Sequence, residues 1–157
     1  HLKLAEMEQA GKLSAIVTQN IDGLHQAAGS KNVFELHGSV HRNYCQKCGK
    51  FFDVNYVVNA KGVPYCDECG GIIKPDVVLY EEGLDSQTIN GAVRAISKAD
   101  MLIIGGTSLV VYPAAGMIDY FKGKYLAVLN RDATSRDKQA DLCITDPIGE
   151  VLGRIRV

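Results

Sequence analysis

The sequence has no surplus of basic residues and no long apolar run. Its 17 Lys and Arg residues are balanced by 18 Asp and Glu residues, which gives a formal net charge of -1. Proteins that bind nucleic acid through bulk charge are usually basic, so this class is disfavoured. No apolar run reaches the roughly 18 residues of a membrane-spanning helix, which argues against a membrane protein. The 157 residues, of which 46% are hydrophobic, are enough for one domain with its own core.

Cysteine is scarce outside one short segment. Four of the five cysteines lie between residues 45 and 69, as two Cys-x-x-Cys pairs separated by residues 49–65. This spacing is typical of a site in which four thiolates bind one Zn²⁺ tetrahedrally. Gly49 and Gly70 follow the two pairs, where glycine lets the backbone curl beneath a metal. The predicted zinc ligands are Cys45, Cys48, Cys66 and Cys69.

The predicted zinc would be structural, because four thiolates leave no coordination position for water or substrate. Two disulfides or free thiols are the alternatives, but disulfides are typical of small, cysteine-dense secreted proteins. We expect the residues between the pairs to form a small antiparallel module, and His41 is not needed as a further ligand. The fifth cysteine, Cys143, lies in an apolar stretch that predicts a strand, where we expect it to be buried as a small hydrophobic residue.

The rest of the chain alternates apolar and amphipathic segments. Strands are predicted at residues 13–20, 32–38, 74–80, 100–106, 124–130 and 141–145. Helices are predicted at residues 86–99 and 113–122 and from residue 147 onwards, and residues 1–12 are expected to be the end of a helix. Ser86 is the predicted N-cap of the first of these, and Pro113 lies in the first turn of the second. The alternation predicts an α/β protein with a mostly parallel sheet.

Polar residues follow four of the predicted strands. The sequences "TQNID", "HG", "GGTS" and "LNRD" begin at residues 18, 37, 105 and 129. Ligands bind at the carboxyl ends of strands in parallel sheets, so these residues predict a ligand site, although such residue types also simply form loops. The "GGTS" motif favours a phosphate or ribose cradle, because glycine admits a ligand close to the backbone and the hydroxyls can donate to it.

Taken together, "TQNIDGLHQAAG", "ELHGS", the cysteine pairs, "GGTSLVVYPA" and "LNRD" resemble the bacterial branch of the sirtuin family of NAD-dependent protein-lysine deacylases. The resemblance follows the family's order over essentially the whole chain. It implies a Rossmann-like large domain formed by residues 1–38 and 77–157, with a small zinc-binding module inserted at residues 39–76. It also implies that an acyl-lysine peptide binds between the two and that NAD is a cosubstrate.

The resemblance also assigns roles to individual residues. His37 would be the general base that deprotonates a hydroxyl of the nicotinamide ribose. Gln19 and Asn20 would contact ribose and position water, and Asp22, with Ile21, would line the nicotinamide pocket. The catalytic residues would thus be His37, Asn20 and Asp22. The adenosine half of NAD would contact Gly106, Thr107, Ser108, Asn130 and Ile148. The substrate peptide would pair with Val77 and Val78 as an added strand.

The implied reaction consumes NAD. The acyl oxygen of the modified lysine attacks C1′ of the nicotinamide ribose, and nicotinamide leaves. His37 then activates the ribose 2′-hydroxyl, directly or through the 3′-hydroxyl, to attack the imidate carbon, and water completes the transfer. The products are free lysine, nicotinamide and 2′-O-acyl-ADP-ribose. The alternatives are mono-ADP-ribosyl transfer to a protein, which shares the site, and a non-enzymatic zinc-ribbon interaction module. Reduced thiols on zinc and the use of NAD predict a cytoplasmic location.

The chain departs from the family pattern in two places. The loop after Val78 usually contains an aromatic residue, Gly and Glu, whereas this chain has Tyr80, Glu81 and Glu82 before Gly83. We expect the side chain in place of glycine to alter the substrate groove. The family's N-terminal Gly-Ala-Gly segment is absent from the 157 residues, so we expect them to be a piece of a longer enzyme that is weakly active or inactive alone.

Overall fold

The computed structural model describes all residues from 1 to 157. Its strands are β1 (Ile16–Thr18), β2 (Val33–Glu35), β3 (Gly38–Cys45), β4 (Phe51–Asp53), β5 (Ile73–Val77), β6 (Met101–Gly105), β7 (Tyr125–Leu129) and β8 (Leu142–Ile144). Its α-helices are α1 (Leu2–Gln9), α2 (Leu24–Ala27), α3 (Val54–Val58), α4 (Ser86–Lys98) and α5 (Ile148–Gly153). Two 3₁₀ helices span Ala114–Tyr120 and Asp137–Gln139. None of the helices combines the length and apolarity that crossing a bilayer demands.

Two of the three sheets are parallel. Strands β1 and β2 form one, and strands β6, β7 and β8 form the other, with β7 in the centre. Residues 126–129 of β7 are all buried, because a central strand covered on both faces is apolar along its length. These sheets and the helices between them confirm the predicted α/β class.

The main apolar cluster lies between α4 and the 3₁₀ helix Ala114–Tyr120. Ala92 and Ile96 of α4 are buried against Ala114 and Met117 of that helix and against Leu36, which follows β2. Spacing by four residues places Ala92 and Ile96 on one face of α4. Leu36 is the residue before His37, so this core holds the backbone that carries the predicted general base.

The third sheet is antiparallel and lies in the cysteine-rich part of the chain, with the order β4-β3-β5. Residues 74–80 were predicted to be a strand, and β5 (Ile73–Val77) occupies most of that range, antiparallel to β3. The chain runs outward along β3 and back along β5, so the two strands lie side by side in opposite directions. Strand β5 lies at the edge of this sheet, a position that tolerates Pro75 because proline has no N–H to donate. The predicted module boundary after residue 76 falls within β5 and stays a prediction.

Three local predictions are also corrected. The N-cap of α4 is Asp85, whose carboxylate accepts the Thr88 N–H at 2.7 Å, and Ser86 is the first helical residue. The segment predicted as a helix from Pro113 is a 3₁₀ helix that begins at Ala114. Cys143 is exposed rather than buried, because β8 is the edge strand of its sheet.

Candidate active site and metal centre

The sulfur atoms of the four clustered cysteines all lie within 4.8 Å of one another. The Sγ atoms of Cys45 and Cys69 are 3.4 Å apart, and those of Cys48 and Cys66 are 3.7 Å apart. A disulfide would require about 2.05 Å, so the pairs are free thiols. Four sulfurs about 2.3 Å from one Zn²⁺ in a tetrahedron would be about 3.8 Å apart. The observed separations therefore fit one zinc ion held by four cysteines.

Matching turns build the two halves of this cluster. The N–H of Gly49 donates to the carbonyl of Cys45 at 2.9 Å, and the N–H of Gly70 donates to the carbonyl of Cys66 at 3.0 Å. Both glycines have positive φ, 76° and 67°, which glycine adopts without the steric cost of a side chain. Gly71, which the sequence did not single out, is equally constrained, because a Cβ there would lie 2.7 Å from the Cys45 sulfur.

The thiol pKa values within the cluster are shifted in opposite directions. Backbone N–H groups, first that of Cys48 and then that of Lys47, lower the pKa of Cys45 to about 6. The Lys50 N–H lowers the pKa of Cys48, but hydrogen bonds with the side chains of Cys69 and Cys45 outweigh this effect, and the pKa is raised to about 12. Without a metal, the cluster therefore favours one thiolate and disfavours a second negative charge beside it. A bound divalent metal ion would offset this effect, since coordinating thiols are deprotonated.

Lys50 connects the second cysteine pair to the first. Its ammonium group lies 2.7 Å from the carboxylate of Asp67 and 2.8 Å from that of Glu68, both between Cys66 and Cys69. The same group lies 5.4 Å from the centre of the Phe52 ring. The two carboxylates raise the pKa of Lys50, chiefly through the hydrogen bond to Asp67. The ammonium is therefore charged at neutral pH and helps to hold the two turns together.

The predicted general base, His37, is half-buried and contacts the first polar loop. Its Nδ1 lies 3.0 Å from the backbone carbonyl oxygen of Gln19. A carbonyl only accepts hydrogen bonds, so this contact assigns the ring proton to Nδ1 and leaves the lone pair on Nε2. In its neutral form the ring thus presents Nε2 as an acceptor for a proton, which is what a general base requires.

The loop from Gln19 to Asp22 is fixed by its own hydrogen bonds. The Asn20 N–H donates to the hydroxyl of Thr18 at 3.1 Å. The carboxylate of Asp22 accepts the N–H of Leu24 at 3.0 Å, at the start of α2. The carbonyl of Ile21 accepts the N–H of Val40 at 3.0 Å. The first two contacts fix the loop internally, and the third places it beside β3, the strand that follows His37.

The predicted peptide-binding residues lie directly beside His37. Val77 pairs with Gly38, and the N–H of Val78 donates to the carbonyl of His37 at 3.0 Å. Gly38 has φ of 77°, and a Cβ there would lie only 1.8 Å from the carbonyl oxygen of Asp76. Only glycine therefore permits β5 to approach this closely. Gln19, His37 and Val77 form one continuous cluster.

Arg42 links the strands on either side of His37, a role that the sequence did not reveal. Its guanidinium lies 2.7 Å from the carboxylate of Glu35 on β2 and 2.8 Å from that of Asp76 on β5. The Glu35 side chain is only 8% exposed. Breaking a pair that includes a buried charge is costly, so Arg42 holds β3 to both β2 and β5.

A second cluster lies at the carboxyl ends of β6, β7 and β8. The N–H of Gly106 donates to the carbonyl of Leu129 at 3.1 Å, and the N–H of Asn130 donates to the carbonyl of Ile144 at 3.0 Å. Ile148 packs against Gly105, where a Cβ would lie 2.4 Å from its Cδ1 atom. Gly106, Asn130 and Ile148, all predicted to contact adenosine, thus meet at one edge of the sheet.

The hydroxyl residues of the second cluster differ from one another. Thr107 is half-buried, and its hydroxyl accepts the N–H of Leu109 at 3.2 Å. Ser108 is exposed beside it. The side-chain amide of Asn130 donates to the carbonyl of Asp132 at 2.8 Å, which leaves its own oxygen free to accept. No hydrogen bond joins this cluster to the one around His37.

Comparison with known proteins identifies the family. Residues 1–113 match the model of the Sir2 family. A protein of Clostridium acetobutylicum described as an NAD-dependent protein deacetylase is 66% identical over 153 residues, which cover 97% of this chain and 62% of that protein. A protein of Clostridium perfringens with the same description is 65% identical over 156 residues, which cover 99% of this chain and 64% of that protein. The chain therefore spans less than two thirds of the length of these relatives.

Solved structures share the fold. A structure described as Sir2 with a p53 peptide and NAD⁺ is 39% identical, with a TM-score of 0.90 over 98% of this chain and 66% of that chain. A structure described as Sir2 bound to acetylated peptide is 38% identical, with a TM-score of 0.90 over 98% of this chain and 67% of that chain. These similarities confirm the expected Rossmann-like fold with an inserted four-cysteine module, and together with the family-model match they show that this chain belongs to the Sir2 family.

Proposed function

We propose that the protein removes acyl groups, chiefly acetyl, from lysine side chains of protein substrates and consumes NAD in doing so. The observation that carries this proposal is the position of His37. Its Nδ1 is engaged by the Gln19 carbonyl, and its backbone carbonyl accepts the N–H of Val78. One residue thus joins the proposed NAD loop to the proposed peptide strand. The relatives described as NAD-dependent protein deacetylases support this reading.

The substrate peptide would bind at the end of β5. This strand lies at the edge of the order β4-β3-β5, so an extended peptide can add to it through backbone hydrogen bonds. Val77 and Val78 would pair with residues on either side of the acyl-lysine. Because Gly38 allows β5 to lie close to His37, the modified lysine would enter beside the general base. The structure described as Sir2 bound to acetylated peptide supports this class of substrate.

NAD would contact both clusters of polar residues. Gln19, Asn20, Ile21 and Asp22 would bind its nicotinamide ribose end, and Gly106, Thr107, Ser108, Asn130 and Ile148 would bind its adenosine end. NAD supplies a ribose whose bond to nicotinamide can be broken. Nε2 of His37 would accept a proton from a hydroxyl of that ribose. Asn20 and Asp22 would assist by positioning water and the nicotinamide end. The products would be free lysine, nicotinamide and 2′-O-acyl-ADP-ribose.

Zinc would be structural and held by Cys45, Cys48, Cys66 and Cys69. The thiol geometry fits Zn²⁺, and four cysteines would fill its coordination sphere. Its contribution would be to hold β3, the strand that runs from Gly38, beside the general base, to the first ligand Cys45. We also propose a cytoplasmic location, because a thiolate zinc site persists in a reducing compartment.

The proposal is tested by identifying the products. The complete gene product is incubated with NAD and an acetyl-lysine peptide, and the mixture is analysed by mass spectrometry. We expect nicotinamide, deacetylated peptide and acetyl-ADP-ribose in equal amounts. A protein that gains ADP-ribose instead would favour mono-ADP-ribosyl transfer, and unchanged NAD would favour a binding module. The 157-residue chain, assayed in parallel, tests the expectation that it is weakly active alone.

A further inference from the structure

Strand β3 contains an irregularity beside the proposed active site. Ser39 pairs with Asp76 on β5, but the next paired residue of β3 is Asn43, opposite Pro75. Three residues of β3, from Val40 to Arg42, therefore have no backbone pairing partner on β5. Pro75 has no N–H to donate at this point. Bulges of this kind re-aim side chains and are common next to active sites.

Buried side chains fix the shape of this bulge. The hydroxyl of Ser39 accepts the N–H of His41 at 3.2 Å, and the amide of Asn43 donates to the carbonyl of Val40 at 3.1 Å. Ser39 and Asn43 are only 2% and 1% exposed. The two polar residues that flank the bulge are thus committed to holding it. The bulge is a fixed conformation rather than a loose segment.

The bulge faces the loop of residues 20–23. The N–H of Val40 donates to the carbonyl of Ile21 at 3.0 Å, and Nε2 of His41 lies 2.9 Å from the carbonyl oxygen of Asp22. Because a carbonyl accepts, Nε2 of His41 must carry a proton and donate it. The imidazole also covers Gly23, where a Cβ would lie 2.7 Å from the ring carbon Cδ2. Gly23 has φ of 68°, so the backbone turns sharply beneath the ring.

We propose that His41 is a positioning residue that holds the loop of residues 20–23 in the shape that receives the nicotinamide end of NAD. This inference rests on the proposed function. The carboxylate of Asp22 already accepts the Leu24 N–H at the start of α2, and the His41 hydrogen bond to the Asp22 carbonyl fixes the backbone of the same residue. Asn20 and Asp22 can contact substrate only if this loop keeps its backbone conformation. His41 acts through the loop and does not touch the reacting atoms.

Two variants separate the two contacts that His41 makes. His41→Phe keeps a ring over Gly23 but removes the N–H donor, and His41→Gln keeps an N–H donor at similar reach but removes the ring. We expect His41→Phe to raise the KM for NAD about tenfold, as loss of one hydrogen bond predicts. The KM for the acetyl-lysine peptide should change by less than about twofold. His41→Gln should restore most of the NAD affinity.

A readout that does not depend on turnover completes the test. Amide hydrogen exchange of residues 20–24 should be faster in His41→Phe and close to wild type in His41→Gln, with zinc content and melting temperature unchanged in both. Equal exchange and an equal KM for NAD in wild type and His41→Phe would overturn the inference, as would equal defects in both variants. If the wild-type protein makes no acetyl-ADP-ribose, the proposed function fails, and the exchange rates still decide whether His41 holds the loop.

Discussion

Nδ1 of His37 lies 3.0 Å from the carbonyl oxygen of Gln19. The contact follows from the parallel pairing of β1 and β2, in which Thr18 lies opposite Glu35. One residue beyond this pair, the Leu36 N–H donates to the Thr18 carbonyl at 2.9 Å. The register of the sheet therefore places His37 beside the Gln19 carbonyl. That carbonyl determines which ring nitrogen can act as a base.

Loss of one cysteine of the cluster should release the metal. Cys45→Ser is expected to lower bound zinc well below one per chain and to lower the melting temperature, because the metal site contributes directly to folding. Metal analysis and thermal unfolding measure both effects. Cys143→Ser is the matched control, since Cys143 is exposed and lies outside the cluster. Full zinc content in Cys45→Ser would contradict the four-cysteine site.

Gly38→Ala should separate β3 from β5. The new Cβ would lie 1.8 Å from the Asp76 carbonyl oxygen, so the backbone must move, and we expect a loss of more than about 3 kcal/mol of unfolding free energy. Gly11→Ala is the control: its φ of 69° is similar, but no atom lies within 4 Å of the added Cβ. It should cost only about 1–2 kcal/mol. Equal losses in urea unfolding would show that the close approach at Gly38 carries no special cost.

Glu81 occupies the position where the family has glycine, and its φ of 71° is in the left-handed region. Glu81→Gly should stabilise the protein by about 0.5–1 kcal/mol, since removal of the side-chain strain exceeds the entropic cost of glycine. Glu82→Gly should have the opposite effect, because the Glu82 carboxylate accepts the Leu79 N–H at 2.8 Å. Thermal unfolding of both variants tests this pair. Destabilisation by Glu81→Gly would be contrary to expectation.

Acid should loosen the contact between α1 and the segment before β2. The N–H groups of Asn32 and Lys31 donate to the carboxylate of Glu8 at 2.8 and 2.9 Å, and they lower its pKa from the ordinary value of 4.5. A carboxyl group with a lowered folded-state pKa stabilises fully above its unfolded pKa, and this stabilisation is lost as pH falls through the folded value.

The advantage of wild type over Glu8→Gln should therefore be largest near neutral pH and should shrink below a pH of about 4.5. Urea unfolding at several pH values measures this difference. A difference that grows as pH falls would contradict the assignment of the two N–H donors to the Glu8 carboxylate.

The four-cysteine cluster was predictable from the sequence because its geometry is local. Each pair of cysteines and the following glycine form one turn, so spacing alone identified all four members of the cluster and the need for glycine at positions 49 and 70. The polar residues after the strands were predictable for a similar reason, since parallel strands place their carboxyl ends at one edge. Gln19 follows β1, His37 lies in the segment after β2, and Asn130 follows β7, but these strands belong to two separate sheets, so the residues form two clusters.

What the sequence could not predict depends on partners far along the chain. The strand at residues 73–77 looks the same in sequence whether its neighbour is parallel or antiparallel, so its pairing with β3 could not be predicted. Exposure of Cys143 follows from β8 being at the edge of its sheet. Gly71 is constrained by the Cys45 sulfur, and His41 contacts a carbonyl 19 residues earlier in the chain. None of these contacts has a local sequence pattern.

The measurement that tests the central claim most directly compares wild type with His37→Ala in the complete gene product, with NAD and an acetyl-lysine peptide. Formation of acetyl-ADP-ribose and exchange of labelled nicotinamide into NAD are followed together. We predict that His37→Ala lowers acetyl-ADP-ribose formation by about 10² to 10⁴-fold, as expected for loss of a general base, but retains nicotinamide exchange, zinc and the fold. Unchanged acetyl-ADP-ribose formation in a folded, zinc-bound His37→Ala protein would contradict the assignment of His37 as the base.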